Sequence, residues 1–489
     1  MFQRVLKRVA LLLAVSVVTL LGVRTFDAQR GPDLEPWHTY RPHELSGKQI
    51  DGLDWAGYEM AEDALFEEVR NEVTQKLDPD QRVPVNRYFE GSPVHPERFS
   101  PDWNRSYVLE PEGAPQGAVV LLHGLTDAPY SLRHIARRYR ELGYVAVAIR
   151  LPGHGTVPGS LADVEWEDWS AATRLAVREA RRRTGSSVPL HLVGYSTGGA
   201  LALQYALDAI EDAKLARPDR IVLLSPMIGI TRFARFAGLL GLPAFFPAFA
   251  KAAWLSVLPE FNPFKYNSFP VNAALQSSLL ARSLQEQLAR SAREQRLSEV
   301  PPILTFQSVV DFTVSTPAIV SELYARLPAN GSELVLFDIN RNAKLGLLLG
   351  SSAETAIEGL LPEAPRRFRS VIVTNASPAN SEVAARITEA GAKAEQTRAL
   401  GLFYPSDLFS LSHVAVPFPV TDGVYGSEPD PSEDFGINFG AMAARGERGT
   451  LIVSLDFVSR TASNPFFPYL LERIESGIGA VHGGVPDLR

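Results

Sequence analysis

Ser196 stands in the run Leu-His-Leu-Val-Gly-Tyr-Ser-Thr-Gly-Gly-Ala (Leu190–Ala200), with one glycine two places before it and another two places after. An apolar stretch leads in and a small-residue stretch, Gly199–Leu207, leads out, which predicts a strand, a tight turn and a helix with the serine at the apex. Gly194 and Gly198 let strand and helix approach while Ser196 takes a strained backbone. Its hydroxyl is then exposed at the sheet's edge, before a helix N-terminus that favours developing negative charge. That is a nucleophile for acyl transfer. A G-x-S-x-G match is weak on its own. It gains weight from the strand and helix around it, and from Leu121-Leu122-His123-Gly124 after an earlier apolar run.

Acyl transfer by serine also needs a base, a group that orients the base, and donors for the oxyanion. Behind a strand–turn–helix nucleophile these come in the chain order serine, acid, histidine. Two histidines follow Ser196: His413, in a loop after a strand, and His482, in a glycine-rich tail. The loop position favours His413 as the base, a structural loop histidine being the plainer alternative. Asp311, just past an apolar run ending at Val310, is favoured as the acid that fixes the imidazole tautomer. Asp338, at the end of the next strand, is its rival, and a turn or cap aspartate is the plainer reading of both. The oxyanion donors are expected to be the backbone N–H of Thr197 and that of Leu125, in the loop after His123-Gly124. His123 and His154 precede Ser196 and are read as loop-structuring residues.

These residues need a scaffold, and the chain predicts one. Ser106–Leu109, Ala118–Leu122, Val145–Ile149, the run ending at Ser196, Ile221–Leu224, Ile303–Phe306, Glu333–Asp338 and Val371–Thr374 read as strands. Helices are expected near Ser131–Leu142, Trp169–Arg183, Pro317–Leu327, Ser381–Ala390 and Pro465–Ile474, with a further strand at Thr450–Leu455. Strands alternating with helices imply a mostly parallel sheet covered on both faces, with its site at the strands' carboxyl ends.

With these residues in view, the chain resembles the α/β-hydrolase superfamily, especially its monoglyceride-lipase and carboxylesterase-like members. The matching pieces are Leu122-His123-Gly124-Leu125-Thr126, Leu151-Pro152-Gly153-His154-Gly155, Gly194-Tyr195-Ser196-Thr197-Gly198-Gly199, Val310-Asp311-Phe312-Thr313-Val314 and Ser412-His413. The resemblance implies an α/β-hydrolase fold, a triad of Ser196, Asp311 and His413, and oxyanion donors at Leu125 and Thr197. The chain departs from the pattern in one respect. Relatives carry the histidine a few tens of residues after the acid, whereas Asp311 and His413 are 102 positions apart. An insertion within 339–399 is therefore expected.

The remaining expectations concern the rest of the chain. Residues 1–26 read as a membrane anchor or a signal segment: Arg4, Lys7 and Arg8 precede the apolar run Val9–Val23. The catalytic body would then lie on the periplasmic side of a bacterial inner membrane, or in the periplasm. Residues 27–104 form a polar extension with a helix near Trp55–Lys76, and His38, His43 and His95 there are expected to be solvated. The main domain is placed at 105–489, with a helical lid at 226–300 that holds ten aromatic residues between Phe233 and Phe269. A net charge of −7 and no basic block argue against nucleic acid as a partner, and the absence of cysteine removes thiol chemistry. The expected activity is metal- and cofactor-free hydrolysis of a small-molecule acyl ester. A peptidase or amidase, or a membrane-tethered binding protein without turnover, are the alternatives; oligomeric state is not legible.

Overall fold

The computed structural model describes residues 2–229, 247–344, 350, 355–440 and 460–479. A ten-stranded sheet carries the chain: β1 (Tyr107–Leu109), β2 (Gly117–Leu122), β3 (Tyr144–Ile149), β4 (Leu190–Tyr195), β5 (Arg220–Leu224), β6 (Ile303–Ser308), β7 (Glu333–Phe337), β8 (Arg369–Asn375), β9 (Glu382–Thr388) and β10 (Glu395–Phe403). Their spatial order is β1-β3-β2-β4-β5-β6-β7-β8-β9-β10. The pairs from β3 across to β8 are parallel; β1 on β3, β9 on β8 and β10 on β9 are antiparallel.

The central strands are continuous runs of Val, Ile, Leu and Ala because both faces are covered. Val120 and Leu122 of β2 point into one core with helices α4 (Trp166–Thr184), α5 (Thr197–Glu211) and α6 (Val271–Arg293). Val119 and Leu121 point into the other, with α3 (Arg133–Glu141) and α7 (Phe467–Gly479). This is the mostly parallel, doubly covered sheet expected from the alternation of elements, and the α/β-hydrolase architecture that the resemblance implied.

The extension is woven into that body. In α2 (Trp55–Glu72) the side chains of Trp55, Tyr58, Glu62, Leu65 and Val69 share one buried face, and Trp55 and Tyr58 lie in the same core as β2. The Arg150 guanidinium, at the end of β3, meets Glu62 and Glu44, each at 3.0 Å. His38 and His95 are not solvated. His38 Nε2 lies 2.8 Å from Ser268 Oγ, and His95 Nδ1 donates to Arg87 O at 2.9 Å; both rings are buried, and only His43 is exposed. Proline-rich composition suggested a wet loop, but the segment is clamped against the body.

The helix expected over Ser381–Ala390 is strand β9. Its alanines and glutamate favour a helix locally, yet pairing with both β8 and β10 buries Val383, Ala384 and Ala385. Within the stretch 339–399 and just past it, three strands, β8, β9 and β10, extend the sheet beyond β7. The apolar run Val9–Val23 lies inside one helix, α1 (Phe2–Gln29), with Leu11, Leu12, Leu20 and Phe26 exposed. Among the described residues no helix is long and apolar enough to cross a membrane, so the expected spanning anchor is not supported. The C-terminal end of α1 is docked instead: Arg24 donates to Trp254 O, and Gln29 Nε2 to Ala248 O at 2.9 Å.

Of the expected lid, residues 230–246 lie outside the described residues, as do Thr450–Leu455 and His482. In what is described, Phe249, Leu255 and Leu258 are exposed while other side chains pack inward. Trp254, Phe264 and Tyr266 are buried, and α6 lies on α5, where Gln287 Nε2 donates to Asp208 at 2.7 Å.

Candidate active site

The turn after β4 is as tight as its glycines imply. A Cβ on Gly198 would collide with the Leu122 carbonyl, and one on Gly194 with the Gly198 carbonyl. Ser196 sits between them at φ +53°, ψ −115°, a strained backbone for a residue with a side chain. Two backbone bonds hold it there: Ser196 N donates to Leu224 O at 2.9 Å, and Met227 N to Ser196 O at 3.0 Å. The turn opens α5, whose first residue is Thr197.

His413 reaches this turn from the loop after β10. A two-residue parallel pairing of Ser410–Leu411 with Arg460–Thr461 fixes the loop, and Asn464 N donates to Phe418 O at 2.7 Å beyond it. His413 Nε2 lies 3.1 Å from Ser196 Oγ, and His413 Nδ1 lies 2.8 Å from Asp311 Oδ2. Asp311 follows β6 and is shielded from solvent; its other oxygen accepts from the N–H groups of Thr313 (2.8 Å) and Val314 (3.0 Å). A carboxylate held this way donates nothing, so the imidazole must present its Nδ1–H to it and keep Nε2 free to take a proton.

The rival acid is elsewhere. Asp338 accepts from Thr374 Oγ1 at 2.9 Å and pairs with Arg341 at 3.2 Å. His123 and His154 are structural, as expected. His123 Nε2 accepts from Leu151 N at 3.0 Å, leaving Nδ1–H to donate to Gly124 O at 2.9 Å; His154 Nδ1 donates to Pro152 O at 3.1 Å. Burial pushes His123 well below the ordinary histidine range and His154 down to about 3, so both are neutral.

The loop carrying Leu125 passes directly against the serine, since a Cβ on Gly124 would come within 3.3 Å of Ser196 Cβ. Among the described residues, neither the Leu125 nor the Thr197 N–H is engaged by another backbone group. Three further groups at the site were not anticipated. Gln307 Nε2 donates to Asp311 Oδ2 at 3.1 Å; a glutamine inside the apolar strand β6, four residues before the acid, was the available signal. Lys265 Nζ donates to Leu125 O at 3.4 Å, and the Asp127 carboxylate is buried beside it. Neither has a local sequence signature. Among the described residues no group of three or more acidic or imidazole side chains is placed to hold a metal.

Known proteins resemble this region of the chain. The family model described as serine aminopeptidase, S33, matches residues 113–338, which include Ser196 and Asp311 but stop short of His413. A thermostable monoacylglycerol lipase of Bacillus sp. (strain H-257) is 34% identical over 95 residues, or 19% of this chain; the match spans only 36% of that enzyme's length. A solved metagenome-derived lipolytic enzyme of the LipS and LipT study is 22% identical, with 48% of this chain and 88% of that chain covered and a TM-score of 0.39. A soluble variant of the monoglyceride lipase of Saccharomyces cerevisiae, solved with a substrate analogue, is 16% identical, with 47% and 80% covered and a TM-score of 0.34.

Proposed function

Because the chain belongs to the α/β-hydrolase superfamily, we propose that it is a serine hydrolase of carboxylic esters that works through an acyl-enzyme on Ser196. The observation that carries this reading is the unbroken chain of contacts from Ser196 Oγ to His413 at 3.1 Å and from His413 to Asp311 at 2.8 Å. Ser196 attacks the ester carbonyl as His413 Nε2 takes its proton, and Asp311 stabilises the imidazolium. The oxyanion accepts from the N–H groups of Leu125 and Thr197. Collapse expels the alcohol, protonated by His413, and a water activated by the same base then frees the acid.

A monoacylglycerol or another medium-to-long acyl ester is the favoured substrate, supported by the name of the Bacillus relative above. The serine aminopeptidase description of the family model keeps a peptide bond as the second reading. A fluorophosphonate label and p-nitrophenyl esters of rising chain length, set beside aminoacyl p-nitroanilides, test both. Labelling at Ser196 with ester turnover supports the proposal, and anilide cleavage without ester turnover favours the peptidase. Ester hydrolysis that survives Ser196→Ala refutes both.

The basic start and apolar run of α1 support export, with the catalytic body at the periplasmic face of the inner membrane or in the periplasm. Cell fractionation with sequencing of the mature N-terminus tests this. Recovery of the full-length chain in the cytosol refutes it.

A further inference from the structure

The segment 260–268 lies across the loop 124–127 as a strap. Tyr266 N donates to Thr126 O at 2.7 Å, and Lys265 Nζ to Leu125 O at 3.4 Å. Two consecutive carbonyls of the loop are thus held by two consecutive residues of the strap. The loop needs such support, because Thr126 sits at φ +61°, a left-handed conformation that β-branched residues rarely adopt. Asp127, the next residue, is only 3% exposed. Burial raises its carboxyl, against the charge of Lys265, hydrogen bonds from Ala128 and Ser131, and the nearby His413. The strap itself is braced: Glu260 accepts from the N–H groups of Asn267 (2.8 Å) and Ser268 (2.7 Å), and Phe264 stacks on Tyr130 with ring centroids 4.2 Å apart.

We propose that Lys265 is a positioning residue for the oxyanion donors: from the strap it fixes the Leu125 peptide and gives Asp127 its countercharge, keeping the Leu125 N–H aimed at the carbonyl that Ser196 attacks. The inference rests on the acyl-transfer reading above. The Leu125 N–H lies in the Gly124–Leu125 peptide plane; the ammonium holds the adjoining plane through the Leu125 carbonyl, and fixing that plane restricts how far the first can turn about Leu125. An oxyanion donor acts on charge that develops only in the transition state. Its misalignment therefore lowers kcat and leaves KM in place.

The test uses the full chain with Lys265→Met and Lys265→Arg. The measurements are kcat and KM on p-nitrophenyl butyrate, the inhibition constant of a trifluoromethyl ketone, which adds to serine as a tetrahedral oxyanion, and Tm. Loss of a whole oxyanion donor costs a hundredfold or more, so K265M should lose roughly tenfold in kcat. KM should stay within about twofold, ketone affinity should weaken by the same factor as kcat, and K265R should recover most of both. The proposal is overturned if K265M keeps the parent's kcat, if ketone affinity holds while kcat falls, or if K265R is as impaired as K265M. It is equally overturned if Tm falls and carries activity down with it, which assigns Lys265 to structure alone. A parent chain that neither hydrolyses esters nor labels at Ser196 fails the functional reading instead.

Discussion

Gln307 Nε2 lies 3.1 Å from Asp311 Oδ2, the same carboxylate oxygen that His413 Nδ1 meets at 2.8 Å. The amide is fully buried and also reaches Thr316 Oγ1 at 3.0 Å, so it sets the carboxylate that sets the imidazole. Gln307→Met keeps the volume and removes the donor. A hydrogen bond to a charged group contributes about 1.5–3 kcal/mol, so kcat should fall by roughly ten- to a hundredfold. Kinetics on a short p-nitrophenyl ester, with Tm as the control for folding, check this; an unchanged kcat removes Gln307 from the site.

The two aspartates separate cleanly by substitution. Asp311→Asn forces an N–H against the imidazole and should reduce kcat by about 10⁴ with little change in fold. Asp338→Asn should leave turnover near that of the parent and lower Tm, because its partners are Arg341 and Thr374. The reverse ranking would reassign the acid.

Asp422 and Arg133 form a fully buried ion pair at 2.7 Å, with His134, Tyr130 and Glu433 around it. Burial by itself would raise the Asp422 carboxyl, but Arg133 and the His134 hydrogen bond hold it below the usual carboxylate range. Asp422→Ala leaves the buried guanidinium with Glu433 as its remaining carboxylate and should destabilise by about 3–5 kcal/mol. The double substitution Arg133→Met with Asp422→Leu should recover most of that loss. Urea titration of the three variants measures it, and a double variant no better than the single one contradicts the account.

His191 is buried within β4, where its Nδ1 lies 3.1 Å from Tyr139 Oη; burial brings its pKa from 6.5 down to about 3. The folded chain keeps this ring neutral at pH 5 while the unfolded chain protonates it. Stability is therefore full above pH 6.5 and falls as the pH drops toward 3. Between pH 7 and pH 5 the residue should remove about 2 kcal/mol of stability. His191→Phe should flatten the pH dependence of the urea midpoint by that amount, and an equal slope in both proteins would reject the assignment.

Local pattern made the parallel core readable, since apolar runs buried on both faces leave few alternatives and the turn around Ser196 has its own signature. What escaped was set by contacts distant in sequence. Glu382–Thr388 reads as a helix until β8 and β10 are beside it. His38 reads as solvated until Ser268, 230 positions away, closes over it. Gln307 and Lys265 owe their places at the site to the loops that Asp311 and Leu125 occupy, and periodicity carries no trace of that.

The distance between acid and base also orders events in time. Four strands, β7 to β10, must join the sheet after Asp311 before His413 can arrive, and its loop is tied to residues 460–464, still further along the chain. Contacts of such long sequence separation form late, because the chain entropy of closing them comes due first. A nascent chain thus completes its parallel core while still without a working base. Turnover should emerge in the last kinetic phase of refolding, after the far-UV signal of the sheet has already settled.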